Sequence, residues 1–236
     1  MSLNLDQNEL AKFSSRADAW WDPQGDFKTL HDINPVRLQF IEQRYSINNR
    51  SVLDVGCGGG LLAEAMANSG GIVTAIDASA ENIKAASNHA NSQGLGVDYQ
   101  CCTVEELAKE ESKKYHIVTC MELLEHVPDP VSLINACTSL VAPGGHIFFS
   151  TLNRHPKSYL MAVLGAEYLL NLIPRGTHNY EKFIKPSELV KWCRGSGLQI
   201  NELCGLHYNP LLNACRLVAN PDVNYLLDTQ LPDIDD

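Results

Sequence analysis

Residues 51–66 read SVLDVGCGGGLLAEAM, a short apolar run followed by an aspartate and then by four glycines within five positions. The apolar run predicts a buried strand, the segment LLAEAM predicts a helix, and the glycines predict a tight turn between them. The same alternation continues downstream, with strands predicted at 71–77, 97–104, 114–122 and 146–153 and helices at 78–93 and 129–141. Because alternating strands and helices imply parallel pairing through right-handed crossovers, the sequence predicts a doubly wound α/β sheet.

The regions on either side of this core have other patterns. Residues 1–50 predict an N-terminal helical cap with a Trp-Trp-Asp-Pro turn, and residues 154–185 predict a long apolar helical insert. A capped helix is predicted from Pro186, followed by two adjacent strands at 198–205 and 211–220. The end of the chain, residues 228–236, is predicted to be a frayed acidic tail. All 236 residues are interpreted as one domain, 1–236.

Composition limits the partners and the compartment. Eighteen basic against 28 acidic residues give a net charge of −10. Nucleic-acid binding needs clustered Lys and Arg, so this balance argues against a nucleic-acid partner. The eight cysteines form no CxxC pair, the N-terminus has no signal-peptide pattern, and no apolar run reaches the ~20 residues that span a bilayer. We therefore expect a cytoplasmic protein with reduced thiols.

The residues around the glycine-rich turn indicate which of two classes of ligand it binds, a dinucleotide with a pyrophosphate or a cationic ligand. Gly56 and Gly58 match the first two positions of a dinucleotide fingerprint, but Leu61 occupies the third. Asp77 closes the second strand, where a carboxylate can receive ribose hydroxyls. Asp54, just before the glycines, would repel a pyrophosphate and favour a cation. The pattern therefore favours S-adenosylmethionine, with the glycines allowing its methionyl part to approach the backbone, over an NAD-dependent oxidoreductase.

Several motifs extend this interpretation by resemblance. The stretches 52–67, 74–79, 119–130 and 140–154 resemble the class I S-adenosylmethionine-dependent methyltransferases. The stretches 16–37, 150–170, 173–189 and 205–213 resemble, more specifically, the ubiquinone-biosynthesis O-methyltransferases, so the similarity runs from about residue 8 to residue 230. The resemblance implies a Rossmann-like, seven-stranded, mostly parallel sheet whose last strand is antiparallel. It also implies a cofactor site built from Arg37, Gly56, Asp77 and Met121.

The segment MELLEHVPDP, residues 121–130, follows the fourth predicted strand. Glu122, Glu125 and His126 are spaced i, i+3 and i+4, so one helical turn would place all three on one face. Methyl transfer to a phenol requires removal of a proton whose pKa is about 10, near that of tyrosine. Two hypotheses follow: His126 or a neighbouring glutamate is the general base, or the three side chains bind a divalent ion such as Mg²⁺.

The resemblance also implies substrate and partners: polyprenylated phenols, with methylation of 2-polyprenyl-6-hydroxyphenol and 3-demethylubiquinol, and other enzymes of ubiquinone biosynthesis. Residues 154–185 carry five basic and two acidic residues around an apolar stretch. This pattern predicts peripheral contact with anionic lipids at the inner face of the membrane, or else a buried helix or subunit contact. A methyltransferase for another small phenol or acid, and a non-catalytic scaffold, remain as alternatives.

Overall fold

The computed structural model describes residues 4–110, 112–158, 180–210 and 212–233. Eight strands in this part of the chain form one sheet in the order β3-β2-β1-β4-β5-β8-β6-β7. They are β1 (Ser51–Val55), β2 (Ile72–Asp77), β3 (Asp98–Cys101), β4 (Tyr115–Met121), β5 (Val141–Leu152), β6 (Gln199–Asn209), β7 (Ala214–Val218) and β8 (Asn224–Gln230). β1 to β5 pair in parallel, and the remaining pairings are antiparallel.

Helices cover both faces of this sheet. They are α1 (Gln7–Ser14), α2 (Lys28–Glu42), α3 (Leu61–Asn68), α4 (Ala80–Gln93), α5 (Val104–Glu110), α6 (Pro130–Leu140), α7 (Pro156–Ser158) and α8 (Pro186–Gly195). The neighbouring residues Val52 and Leu53 of β1 belong to different hydrophobic clusters, because successive strand side chains point to opposite faces. The predicted doubly wound α/β fold is confirmed.

Two details of the expected sheet are corrected. The sheet has eight described strands rather than seven, because β8 (Asn224–Gln230) follows the predicted strand at 211–220, which forms β7. The antiparallel strand beside β5 is β8, which includes residues 228–230 of the predicted acidic tail. Tyr225, Leu226 and Leu227 of β8 are fully buried, and the Asp228 carboxylate accepts a hydrogen bond from His146 at 2.8 Å. Buried apolar residues and a paired charge therefore hold this segment in the sheet.

Residues 4–27, here called the N-terminal strap, lie across the carboxyl ends of the parallel strands. Asp6 caps α1 by accepting hydrogen bonds from the backbone of Asn8 and Glu9. Asn4 Nδ2 donates to Glu105 at 2.8 Å, and the Ser14 hydroxyl donates to Ser79 at 2.8 Å. The strap thus contacts the segments that follow β2 and β3 and closes over the edge of the sheet where open α/β folds bind ligands.

The predicted insert at 154–185 lies largely outside the described residues, which resume at residue 180. Four of its basic side chains are described, and three of them are in ion pairs: Arg154 with Glu188, Lys157 with Asp222, and Lys182 with Asp6. Within the described ranges, none of the helices has both the length and the apolar character needed to cross a membrane.

Candidate active site

A cavity of about 380 Å³ lies beneath the strap at the carboxyl ends of β1, β2 and β4. Every site residue predicted from the sequence lines it: Arg37, Asp54, Gly56, Gly58, Asp77, Met121, Glu122, Glu125 and His126. We call the side formed by Asp54, residues 56–60 and Asp77 the glycine-loop end. The side formed by Glu122, Glu125 and His126 is called the β4 end. The cavity therefore joins the two motifs that were recognised separately in the sequence.

The glycine loop makes room for a tryptophan of the strap. A Cβ atom at Gly59 would lie 2.2 Å from Cγ of Trp20, and one at Gly58 would lie 2.5 Å from the same indole. The Trp20 ring also stacks on Phe27 and donates its Nε1 hydrogen to Asn82 at 2.9 Å. The sequence-based interpretation gave these glycines to a tight turn and to close approach of a ligand. The structure shows that at Gly58 and Gly59 a protein side chain already uses the open backbone.

Asp77 organises the glycine-loop end through hydrogen bonds. Its Oδ2 accepts from the Gly58 backbone at 3.0 Å, and its Oδ1 accepts from the backbone of Ser79 at 2.8 Å and from Asn82 Nδ2 at 3.3 Å. Burial raises the pKa of this carboxyl, and these hydrogen bonds oppose the shift. Asp77 thus joins the loops that follow β1 and β2, and it faces the cavity where the ribose was expected.

Asp54 is a buried carboxyl with one unused oxygen. Its Oδ1 accepts a hydrogen bond from the Thr119 hydroxyl at 2.7 Å, whereas Oδ2 has no hydrogen-bond partner among the described residues. Burial raises the pKa of Asp54 to about 6, while the Thr119 hydroxyl and the Arg37 charge act in the opposite direction. An unpartnered buried carboxylate oxygen in a cavity wall fits a cationic ligand group such as an ammonium.

Arg37 offers the complementary charge. It lies on α2 and is 6% exposed; its Nε makes no hydrogen bond to the described residues, and its Nη2 is in an ion pair with Glu122 at 3.1 Å without hydrogen-bond geometry. These two N–H groups form the side of the guanidinium that binds a carboxylate through two bonds. Gly56 and Met121 complete this region at the ends of β1 and β4. Gly56 has a φ of +70°, and a Cβ there would lie 2.7 Å from the Leu123 side chain.

Glu122 connects the two ends of the cavity. Its Oε1 lies 3.1 Å from Arg37 Nη2 and accepts hydrogen bonds from the Ser150 hydroxyl at 2.8 Å and from Asn224 Nδ2 at 3.0 Å. Its φ of 53° is in the left-handed region, which is costly for a residue with a side chain. The expectation of one helical turn from Glu122 to His126 is therefore wrong, because the chain turns at Glu122 before the 3₁₀ turn at Leu124–His126.

Glu125 and His126 have separate partners. The buried Glu125 accepts a hydrogen bond from the Thr151 hydroxyl at 2.8 Å, and burial, reinforced by the Glu122 charge, raises its pKa. Nδ1 of His126 lies 2.9 Å from Oε2 of Glu9 in the strap. Burial lowers the pKa of His126, but the Glu9 hydrogen bond and the nearby carboxylates outweigh it, so the net shift is upward. The His126 hydrogen bond holds the pKa of Glu9 at about 2.

The predicted metal set does not form one ligand group in this arrangement. No group of three or more His, Cys, Asp or Glu side chains among the described residues is placed to hold a metal ion. Glu122, Glu125 and His126 instead direct polar atoms to Arg37, Thr151 and Glu9. As placed, these residues do not fit a shared metal ion.

Sequence analysis did not identify Glu9, Trp20, Thr151 and Asn224 as site residues. The WW pair was interpreted as part of a turn and of the stretch 16–37 that carries the family resemblance, and it was given no role in the site. Trp21 Nε1 donates to the Gly59 carbonyl at 3.0 Å, so both members of the pair contact the glycine loop. Glu9 carried no local signal, because its partner is 117 residues away.

Comparison with known proteins agrees with this architecture. A family model described as a methyltransferase domain matches residues 11–203. A solved structure of magnesium protoporphyrin IX methyltransferase from Synechocystis with bound S-adenosylmethionine superposes with a TM-score of 0.64 at 16% identity, covering 98% of this chain and 99% of that chain. A methyltransferase structure from Clostridium acetobutylicum gives a TM-score of 0.63 at 18% identity, covering 94% and 98%. The fold and the family model thus define a class I methyltransferase.

Much closer sequence relatives narrow the family. The ubiquinone biosynthesis O-methyltransferase of Azotobacter vinelandii is 54% identical over 226 residues, covering 96% of this chain and 97% of the relative. The protein of the same description from Thiobacillus denitrificans is 54% identical, covering 96% and 98%. The chain belongs to the ubiquinone biosynthesis O-methyltransferase family.

Proposed function

We propose that the protein transfers a methyl group from S-adenosylmethionine to phenolic hydroxyls of 2-polyprenyl-6-hydroxyphenol and 3-demethylubiquinol. The observation that carries this proposal is the single cavity that joins the glycine-loop end to the buried polar groups of the β4 end. The identity of 51 to 54% to proteins of ubiquinone biosynthesis supports the substrate class. Membership of this family would place the chain beside other enzymes of the same pathway.

The residues that would hold the methyl donor are assigned by chemistry. When bound, S-adenosylmethionine supplies an activated methyl group on a sulfonium. The Nε and Nη2 edge of Arg37 suits its carboxylate, and the free Oδ2 of Asp54 suits its ammonium. Asp77 would accept hydrogen bonds from the ribose hydroxyls in addition to the one from the glycine loop. Gly56, Gly58 and Met121 line the cavity between these groups.

The β4 end would orient the phenol and accept its proton. In the transfer an O–C bond forms, the S–C bond breaks with its electrons remaining on sulfur, and the phenolic proton passes to a base. His126 is the group we assign as base, because its Nδ1 is occupied by Glu9 and the ring lines the cavity. Glu122, in its ion pair with Arg37, and Glu125 place negative charge beside the imidazolium that forms.

A transfer assay tests this function. Purified protein with labelled S-adenosylmethionine and a short-chain demethyl-ubiquinol is expected to give the O-methylated quinol, and Asp77→Asn is expected to give little product at a limiting concentration of S-adenosylmethionine. Asp18→Asn, a change at an exposed carboxylate of the strap, serves as a matched control. The assay is repeated with a short-chain form of 2-polyprenyl-6-hydroxyphenol. Absence of product with this phenol and with the demethyl-ubiquinol would reject the proposed reaction.

A divalent ion held by Glu122, Glu125 and His126 stays a separate prediction, and no step above depends on it. Chelation followed by Mg²⁺ add-back tests it directly. Loss of transfer in chelator with recovery on Mg²⁺ addition would support a metal role, whereas unchanged rates would remove it.

Peripheral contact with the inner face of the membrane also stays a proposal for residues 154–185. The apolar stretch and the exposed Lys185 support it, whereas Arg154, Lys157 and Lys182 already have acidic partners within the protein. Flotation with anionic and zwitterionic vesicles tests the contact. We expect binding to anionic vesicles that weakens on deletion of the insert, and equal recovery with both vesicle types would contradict it.

A further inference from the structure

We propose that Glu9, on α1 of the N-terminal strap, is a positioning residue that holds the His126 imidazole through Nδ1 and leaves Nε2 for the cavity. This inference rests on the proposed function, because it assigns a role to His126 in that reaction. It adds a residue from the first ten of the chain to a site otherwise built around the sheet.

The contacts of Glu9 are those expected of an orienting group. Its Oε2 lies 2.9 Å from His126 Nδ1, and its Oε1 lies 2.9 Å from the ammonium of Lys12. The side chains of Glu9 and His126 are only 12% and 13% exposed. Each carboxylate oxygen therefore has its own partner, and Lys12 fixes the carboxylate while the carboxylate fixes the imidazole.

A second contact limits rotation of the same ring. Phe13, one turn further along α1, meets the His126 ring edge-to-face, with centroids 5.1 Å apart and planes at 83°. Helix positions four apart lie on one face, so Glu9 and Phe13 reach His126 together. Helix α1 thus holds the imidazole by one hydrogen bond and one aromatic contact.

The hydrogen bond also selects a tautomer. A carboxylate only accepts hydrogen bonds, so the neutral imidazole facing Glu9 carries its hydrogen on Nδ1 and its lone pair on Nε2. Among the described residues the hydrogen bond of this ring is made through Nδ1. A lone pair directed at the cavity is what proton removal from a phenol requires. The charged groups that face the ring are Glu9 with Lys12 from the strap, and Glu122 and Glu125 from the β4 end.

The test combines three variants with a spectroscopic readout. Glu9→Ala removes the acceptor, Glu9→Gln keeps an oxygen that can accept from Nδ1, and Asp18→Asn changes an exposed carboxylate of the same strap. Imidazole ¹⁵N spectra, recorded in chelator at a pH where the ring is neutral and assigned with His126→Asn, report which nitrogen carries the hydrogen. Tryptophan fluorescence reports whether Trp20 and Trp21 remain on the glycine loop.

We expect the Nδ1-H tautomer of His126 in wild type, Glu9→Gln and Asp18→Asn, and a redistributed tautomer in Glu9→Ala. The kcat of Glu9→Ala should fall roughly 10- to 100-fold, as for other groups that orient a functional histidine, with KM for S-adenosylmethionine unchanged. Glu9→Gln should recover part of that loss.

Two results would overturn the assignment. One is a Glu9→Ala protein that keeps the wild-type tautomer and rate. The other is a loss of rate with the tautomer retained and the tryptophan signal changed, which would make Glu9 a structural contact of the strap. If the wild-type protein transfers no methyl group, the proposed function fails, but the spectra still decide whether Glu9 orients His126.

Discussion

The two ends of the cavity differ in where their side chains come from in the chain. At the glycine-loop end, Asp77 bonds to Gly58, Ser79 and Asn82, which are 19, 2 and 5 residues away. At the β4 end, Glu122 bonds to a residue 102 positions away, and His126 bonds to one 117 positions away. The Asp77 network is made within residues 58–82, whereas the contacts of Glu122 and His126 join distant parts of the chain.

This difference predicts how each end responds to change. A site built from local contacts forms whenever its supersecondary unit forms. A substitution there should therefore lower mainly the affinity for S-adenosylmethionine. A site assembled from the strap, β4 and β8 depends on the whole fold. A substitution there should therefore lower mainly the turnover. The variants below test this separation, in order of decreasing expected effect.

The largest effect is expected for Asp77→Ala. The substitution removes the carboxylate that accepts hydrogen bonds from two backbone N–H groups and from the Asn82 amide, and with it the proposed acceptor of the ribose hydroxyls. Because hydrogen bonds to charged groups contribute about 1.5–3 kcal/mol each, affinity for S-adenosylmethionine should fall roughly 100- to 1000-fold. Calorimetric titration measures it. Binding within tenfold of wild type would show that Asp77 is only a loop-capping residue.

The second effect concerns the contact between strap and glycine loop. Gly59→Ala places a Cβ where Trp20 Cγ lies 2.2 Å away, and overpacking of this kind costs about 1–3 kcal/mol. We expect affinity for the methyl donor to fall roughly 10- to 100-fold as the strap is displaced. Gly96→Ala, which would meet no atom within 4 Å, is the matched control.

A double-mutant cycle separates the two explanations for the bare loop. If Gly59 makes room for Trp20, the Gly59→Ala substitution should cost nothing further in a Trp20→Gly background, which also removes the Trp20 Cβ that would lie 2.4 Å from the new methyl group. If the glycine makes room for the ligand, the cost should be the same in both backgrounds. Additive losses would therefore contradict the packing explanation and restore the interpretation drawn from the sequence alone.

The same comparison explains which parts of the molecule were predictable. Asp54, Gly56 and Asp77 were found because strand ends and glycine turns leave local patterns, and parallel pairing fixes where they meet. The turn at Glu122 was mistaken for a helix, because its spacing to Glu125 and His126 matches one helical turn. The left-handed φ there is stabilised by partners on other elements, such as Ser150 and Asn224, and spacing carries no trace of them.

Strand β8 shows the same limit at the level of the fold. Residues 228–230 are each polar or charged, and this composition suggested a frayed tail. The strand nevertheless lies between β5 and β6 in the sheet. Its inclusion depends on Leu226 and Leu227 and on the pairing of Asp228 with His146, 82 residues away. As at Glu122, contacts with residues distant in the sequence determine the structure of this segment, and the local composition does not reveal them.

The third expected effect is on stability rather than affinity. The pKa of Asp54 in the folded protein is about 6, above the ordinary value of 3.8, so the ionised form is penalised by burial. The unfolded chain therefore loses this proton at lower pH, and stability falls as pH rises from about 4 to about 6. Asp54→Asn should raise the free energy of unfolding by about 3 kcal/mol at about pH 8, while it weakens binding of the methyl donor.

The pH dependence provides the control for this prediction. Near pH 4 the wild-type carboxyl already carries its proton, so the advantage of Asp54→Asn should disappear there. Urea unfolding of both proteins at the two pH values measures the difference. An advantage that is equal at both pH values would assign the gain to packing rather than to removal of a buried charge.

The smallest effect is expected for Asn224→Ala, and it tests the separation between the two ends most directly. The substitution removes one of the donors to Glu122 Oε1, and Ser150 and Arg37 remain. Because Ser150 and Arg37 still hold Glu122, only part of the energy of one hydrogen bond should reach the reaction, so kcat/KM for the phenol should fall roughly 5- to 10-fold while affinity for S-adenosylmethionine stays unchanged. Asn201→Ala removes a similar bond, to Asp228, and is the matched control. The contradictory result is a fall of both S-adenosylmethionine affinity and turnover in Asn224→Ala, with neither lowered in Asn201→Ala. It would mean that the ion pair of Glu122 with Arg37 couples the two ends, so that the cavity responds as one unit.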